Sequence, residues 1–290
     1  MSESPRHDGI GRAPALLSGA LAQPVDGFAP LHFRHELIGA VSPQWLALLD
    51  PALFETTPRP GSPLPSVRLK GGDRRSESGP MPVATINALL AAWADSLKAK
   101  QLLPGWRGEA IHLFGANEAA PLFAIERALL RPLGLLLRSV QVNVFTLDKK
   151  RLKVWVARRS ASKPVDPGLS DTLVGGGIVG DDSPLETMTR EAQEEAGIAR
   201  ALARRAVPVG VIDSTRAVRE GPALLLHRER LMLYDLQVPA DFAPTPLDGE
   251  VAEATLLDAD AVLASIARGG WTREGAWASE DLVRRQAAAH

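Results

Sequence analysis

The chain of 290 residues contains no cysteine. It therefore has no disulfide framework and no thiolate chemistry, a composition that suits a reducing compartment. Its six histidines are scattered without i,i+4 pairing, which argues against an imidazole-based metal site and against zinc. With a net charge of −1 and a pI near 6.6 there is no excess of either sign, so neither nucleic acid nor an anionic membrane is an expected partner. No stretch reaches the roughly 18 continuous apolar residues of a membrane span. The N-terminal MSESPRHDGIGRAPALL lacks an apolar signal core, and with the missing cysteine this predicts a cytoplasmic location. Neither a G-x-S-x-G elbow, a P-loop, an internal repeat nor a sustained heptad is present. What remains is an ordinary globular composition, 45% hydrophobic and 23% charged, with enough chain for one large domain or two ordinary ones.

Against this plain background Gly176 to Ile198, GGIVGDDSPLETMTREAQEEAGI, stands out. Ser183 is a good N-cap, Pro184 suits the first helical position, and Glu186 completes a capping box. Gly197 is a natural helix stop. At about 100° per residue, Leu185, Met188, Ala192 and Ala196 predict one apolar stripe facing a core. Beside it Glu191, Glu194 and Glu195 converge at i, i+3 and i+4. Like charges at these spacings repel, and two lie near the helix C-terminus, where the macrodipole also opposes them. A divalent cation would reverse each of these terms, and hard carboxylate oxygens suit Mg²⁺ or Mn²⁺. The alternative reading is a solvated acidic helix face. Gly175, Gly176 and Gly177, followed by Gly180, make a permissive loop before the helix, able to approach a phosphate.

Together these residues resemble the Nudix box, G-x5-E-x7-R-E-U-x-E-E-x-G-U. Gly176 is the first glycine, Arg190-Glu191 the RE pair, Ala192 the apolar position, Glu194-Glu195 the EE pair and Gly197-Ile198 the closing pair. Asp182 replaces the first glutamate. The resemblance implies a metal held by Glu191, Glu194 and Glu195 with Gly176 beside it, and an Arg190 that braces the carboxylates. It also implies a further carboxylate from outside the box. Glu250, in the run DGEVAE, is the candidate, with Glu253 behind it; a polar strand edge is the alternative.

The chain divides near residue 135, into an accessory domain at 1–135 and a Nudix domain at 136–290. The first part reads as mostly helical α+β. It has a short helix from Ser42-Pro43 to Leu49, a long Pro- and Gly-rich loop from Glu55 to Pro82 broken by one strand at Ser66–Lys70, and an amphipathic helix at Ala84–Lys100. A strand at Glu109–Phe114 and a second helix at Pro121–Leu130 complete it. The second part reads as strands at Val140–Leu147, Leu152–Arg158, Thr172–Val174, Val207–Ile212, Glu229–Val238 and Val251–Leu256, with closing helices at Ala259–Arg268 and Ser279–Gln286. That order predicts a mixed sheet sandwiched between helices, the α/β/α architecture of the Nudix fold.

Arg158, Arg159 and Lys163 follow a predicted strand and are candidates to pair with a diphosphate, as are the backbones of Gly175 and Gly177. Solvated strand ends are the alternative for the three cations. Trp155, Trp271 and Trp277 read as packing residues or ring-stacking platforms. WRGE at Trp106–Glu109, IER at Ile125–Arg127, WVARRS at Trp155–Ser160 and the run from Tyr234 to Val251 resemble one Nudix subgroup. It carries an extra N-terminal domain and is related to the fungal thiamine pyrophosphokinase-associated Nudix proteins. The subgroup resemblance departs at Val144-Phe145, where an asparagine-glycine pair is usual. It implies a divalent-cation-dependent hydrolase that cleaves thiamine diphosphate or its analogues to monophosphates, with Trp106 and Arg107 near the ring. The alternatives are an ADP-ribose or other nucleoside-diphosphate pyrophosphatase, and a non-catalytic ligand-sensing module. The expected partner is a small-molecule diphosphate, and a homodimer is compatible with the added domain.

Overall fold

The computed structural model describes residues 24–72, 80–116, 120–163, 165–247 and 249–288. The N-terminal segment read for a signal and Asp248 of the DGEVAE run lie outside the described residues, as does part of the predicted 55–82 loop. Among the described residues no helix is long and apolar enough to cross a membrane.

In the second half, strands β7 (Leu136–Asp148), β8 (Arg151–Arg159), β9 (Ser170–Thr172), β10 (Val174–Gly177), β11 (Val207–Glu220), β12 (Ala223–Gln237) and β13 (Val251–Asp258) form one mixed sheet. Its order is β11-β12-β7-β8-β13, with β10 on β7 and β9 on β8. β7 and β12 run parallel from Leu136↔Arg228 to Phe145↔Gln237; the remaining pairs are antiparallel. β7 is buried on both faces, as a central parallel strand must be. Val140, Val142 and Val144 pack with Met188, Ala192 and Ala196 of helix α2 (Pro184–Ala196). The opposite layer comes from α4 (Ala259–Arg268) and α5 (Arg273–Ala288), whose Val262, Ile266 and Leu282 pack with Phe145, Val154 and Val156. This is the expected α/β/α sandwich. A short helix, α3 (Arg200–Ala203), follows α2.

One edge of β7 is shared by two partners. Ser139–Val142 pairs with β10, and Phe145–Asp148 pairs with β8.

The first half is α+β, as expected, but among its described residues strands outnumber helices, which corrects the mostly helical reading. It contains a sheet of order β2-β1-β4-β3, from β1 (Ala29–Phe33), β2 (Glu36–Val41), β3 (Phe54–Thr57) and β4 (Ser66–Leu69). A hairpin of β5 (Ala110–Phe114) and β6 (Pro121–Glu126) and the helix α1 (Val83–Ala99), the one α-helix among its described residues, complete it. The helix predicted at Pro121–Leu130 is instead β6 followed by a 3-10 turn at Arg127–Leu129. A short apolar run such as LFAI fits either period, and pairing with β5 decides it. β1 and β2 join across Arg34, at φ 55, a two-residue turn without the glycine or asparagine that signals a hairpin. The two strands expected at 207–212 and 229–238 are parts of one long hairpin, because the ladder continues from Asp213↔Arg230 to Glu220↔Ala223.

The two halves meet along Arg131–Leu135, which is built into both. Ala40 and Ser42 donate backbone N–H groups to the carbonyls of Leu133 and Pro132 at 2.9 and 3.0 Å. On the other side Leu226 N–H donates to Arg131, and the buried Arg228 guanidinium donates to the Gly134 carbonyl at 3.2 Å. Leu225, at the tip of the β11–β12 hairpin, joins Leu129, Leu133 and Leu135 in the core of the first half. Gly134 has φ +56, and a Cβ there would stand 2.4 Å from the Ala40 carbonyl oxygen. Gly134→Ala should therefore destabilise the whole protein by at least ~1 kcal/mol. Denaturant unfolding followed from both halves at once should show one transition moved to lower denaturant, whereas a change confined to one half would contradict the shared seam.

Candidate active site

Helix α2 begins as its sequence requires. The Ser183 hydroxyl accepts from Glu186 N–H, and the Glu186 carboxylate accepts from Ser183 N–H in return. It ends at Gly197, φ +66, with the Gly197 and Ile198 amides donating back to Gln193 and Ala192. Met188, Ala192 and Ala196 are fully buried, but Leu185 is 44% exposed. The first turn lies beyond the sheet, so the predicted stripe is one residue shorter than expected.

The three glutamates have distinct surroundings. Glu195 is buried, and its Oε2 accepts from the Gly175 N–H of β10 at 2.8 Å. Its Oε1 lies 3.9 Å from Lys163 Nζ, and the same ammonium pairs with Glu250. Glu191 fills the space over Gly176, where a Cβ would stand 2.3 Å from Glu191 Oε1. A side chain at that position would have to displace the carboxylate, which is the physical need for this glycine. Glu194 is half-exposed. Arg190 ties the group together: its guanidinium donates to Glu191 at 2.8 Å and Glu194 at 3.2 Å, and lies 3.6 Å from Asp182. Asp182 thus reaches the arginine and stands apart from the glutamates. Burial pushes the Glu191 carboxyl above its ordinary value; Arg190 offsets this only in part, and Glu194 adds to it.

These groups form one wall of a cleft of about 860 Å³ that runs between the two halves of the chain. Gly175, Gly176, Gly177, Arg159, Lys163, Glu250 and Trp106 all line it with the helix carboxylates. Arg158 does not. It is exposed on the other face of β8, where alternation along a strand must send the neighbour of an inward Arg159. Arg159 is occupied by protein partners, donating to the Val165 carbonyl and to Asp171 at 3.1 Å. Glu253 is likewise absent from this cleft, lining a small pocket with Arg158. Trp155 packs edge-on against Phe242, and Trp271 and Trp277 are buried, so these three are packing residues.

The cleft also contains residues that sequence reading missed. From the first half come Glu109, Arg127 and Arg131; from the sheet come Gln141, Asp171, Arg216 and Arg228, and from α5 comes Glu274. Several are paired: Arg127 with Glu109 at 2.6 Å, Arg131 with Glu220, and Arg216 with Asp166 at 2.6 Å. Burial raises the Asp171 carboxyl, against the pull of Arg159. A signal existed for Glu109 and Arg127, since they sit in the WRGE and IER segments. Those segments face each other across the β5–β6 hairpin, where Arg127 N–H donates to Glu109 and Arg107 N–H to the Glu126 carboxylate. Arg216 and Arg228 lie in a hairpin with no motif around them.

The first half also grips the loop before α2. Gly180 N–H donates to the Ala110 carbonyl at 2.9 Å, His112 lies 3.4 Å from Asp181, and Val179 packs on the first-half core. The glycine loop is therefore positioned from outside the sheet it belongs to.

The donor chemistry of this wall fits a hard divalent cation. Glu191, Glu194 and Glu195 supply carboxylate oxygens on one helix flank, and Glu250 faces them from the strand side. Among the described residues no three acidic, histidine or cysteine side chains form a group able to hold a metal ion as they stand; Arg190 pairs with Glu191 and Glu194, and Lys163 lies between Glu195 and Glu250.

The family model described as the NUDIX domain matches residues 137–274. Over 158 residues the chain is 36% identical to Nudix hydrolase 24, chloroplastic, of Arabidopsis thaliana, covering 54% of this chain and 42% of the relative. It is 34% identical over 169 residues to Nudix hydrolase 20, chloroplastic, of the same plant, covering 57% and 44%. It is 29% identical over 164 residues to the uncharacterized protein YJR142W of Saccharomyces cerevisiae, covering 52% and 47%. The chain spans less than half the length of each of these relatives. The matched span contains the capped helix, its glutamates and the glycine strand they bind, so the similarity to the NUDIX domain falls on the residues that form this wall.

Proposed function

We propose that this chain is a divalent-cation-dependent hydrolase of a diphosphate linkage, with thiamine diphosphate or an analogue, cleaved to the monophosphate, as substrate. The observation that carries the reading is that Glu191, Glu194, Glu195 and Glu250 all line one cleft together with several cationic side chains. A water oxygen would form the new bond to phosphorus as the bridging P–O bond breaks, releasing phosphate and a phosphomonoester. Glu191, Glu194 and Glu195 would hold Mg²⁺ or Mn²⁺, which when bound neutralises charge developing on the phosphoryl oxygens and lowers the pKa of water. Arg190 keeps the carboxylates in register and does not touch substrate. Glu250 and the helix carboxylates are the groups able to take the proton of the attacking water, while the backbone of Gly176 and Gly177 lines the same cleft where the phosphates would sit.

The choice of a thiamine-like substrate rests on the subgroup resemblance, whose WRGE and IER segments supply Trp106, Glu109 and Arg127 to the cleft. We assign residues up to about 135 as an accessory domain that shapes the pocket for the non-reacting part of the substrate, where specificity among diphosphates must arise. The volume of the cleft, about 860 Å³, favours a second reading. A pocket this large accommodates a nucleoside-diphosphate sugar such as ADP-ribose as readily as a smaller diphosphate.

Hydrolysis of thiamine diphosphate, an oxidised analogue, ADP-ribose and a dinucleoside polyphosphate, measured with Mg²⁺ or Mn²⁺ and again in excess chelator, tests both. Activity should vanish in chelator, and kcat/KM should be highest for the thiamine compounds and fall in Trp106→Ala. Glu195→Gln should lower kcat by ~10²-fold or more. Asp182→Ala should cost much less, since Asp182 meets only Arg190 among these groups. Equal rates across the panel would remove the thiamine assignment, and full activity in chelator would remove the mechanism.

The raised Glu191 carboxyl has a consequence for stability without metal. In the fold its proton is held to higher pH than in the unfolded chain, so its contribution is fully present below the ordinary carboxylate value and is lost as pH rises through the folded one. In chelator, the melting temperature of wild type relative to Glu191→Gln should therefore decline as pH increases upward from about 4.5. A parallel pair of melting curves across that window would show that burial does not govern this carboxyl.

A further inference from the structure

Lys163 is the side chain whose position the diphosphate reading alone does not explain. A phosphate ligand should point at open cleft, yet the Lys163 ammonium sits between Glu195, at 3.9 Å, and Glu250, with only 15% of its side chain exposed. Both carboxylates belong to the wall assigned to the cation. Glu195 is nearly buried, and a buried carboxylate requires compensation. One part comes from the Gly175 N–H, and Lys163 lies on the other oxygen.

Arg190 compensates the other two glutamates in a different way. It lies on α2 itself and bridges Glu191 and Glu194 with a planar fork, which leaves with difficulty because it rides on the same helix. Lys163 is a point charge on a flexible stem, carried by the loop after β8. Two cations cannot share the Glu195 oxygen at such distances without strong repulsion in a partly buried site.

We propose that Lys163 is a tethered cation that holds Glu195 and Glu250 in the metal-free protein and is displaced when a divalent ion binds. This makes it a positioning residue that sets metal affinity, and it rests on the assignment of the box glutamates as the cation site in the proposed function. The device keeps the carboxylates from repelling one another in the empty site and frees an ammonium for the substrate phosphates once the ion is in place.

The test is Mn²⁺ titration of the full chain without substrate, followed by electron paramagnetic resonance of free Mn²⁺, with melting temperatures recorded in chelator and in saturating Mn²⁺. By mass action, removing an internal competitor should tighten Mn²⁺ binding by about tenfold in Lys163→Met. The same variant should melt lower in chelator and gain more from Mn²⁺ than wild type does. Lys163→Gln provides a second, more soluble replacement, and Lys163→Arg, which keeps the charge, should stay near wild type. Arg216→Gln removes an equal charge from the cleft away from Glu195 and Glu250, so it should move Mn²⁺ affinity much less. Unchanged or weaker Mn²⁺ binding in both Lys163→Met and Lys163→Gln overturns the proposal, as does an equal gain in Arg216→Gln. Since no turnover is measured, tighter binding with no hydrolysis of any diphosphate would uphold the role of Lys163 while removing the hydrolase reading.

Discussion

The hydrogen bond from Gly175 N–H to the Glu195 carboxylate sits where two unrelated requirements meet. Among the described residues β10 pairs with β7 alone, and its Gly175 N–H is not taken up by another strand. A backbone amide facing a cleft must find an acceptor, and the capped helix α2 places one there. The bond thus satisfies the unpaired strand edge and fixes the innermost glutamate. Gly176, next along the strand, brings Glu191 against the same backbone.

The opposite side of the cleft depends on the first half. The seam at Arg131–Leu135 is hydrogen-bonded to β2 on one side and to β12 on the other, and β5 holds the loop that leads into α2. These contacts make the first half a buttress for the glycine loop as well as a wall of the pocket. Its cleft residues are mostly neutralised by pairing, as in Arg127 with Glu109 and Arg131 with Glu220. The wall opposite the glutamates therefore offers shaped, polar surface with its charges already matched.

The parts of this arrangement that the sequence made legible are those encoded locally. The capping box, the glycine stop and the spacing of the glutamates are dictated within one turn or two of helix, so α2 and its acidic flank were readable to the residue. Most strands of the second half were readable in place and order because β-branched runs are bounded by turn residues, but the single strand expected at Thr172–Val174 is two, β9 on β8 and β10 on β7. What escaped was set by distant partners. Pro121–Glu126 became a strand because β5 lay beside it, and the Arg34 turn joined β1 to β2 without the usual residues. Arg158 and Arg159 could not be separated until the strand's facing was known. The pairing of Lys163 with Glu250, 87 residues apart, has no local signature at all.

The hairpin of β11 and β12 carries a consequence for the order in which the chain can be made. Leu225 at its tip completes the core formed by Leu129, Leu133 and Leu135, and Leu226 covers Phe28 and Ala40. Those first-half residues leave the ribosome long before the hairpin does, and contacts so distant in sequence close slowly. During synthesis the first half therefore waits with an apolar face uncovered until the hairpin emerges, and that interval is when the nascent chain most needs a chaperone.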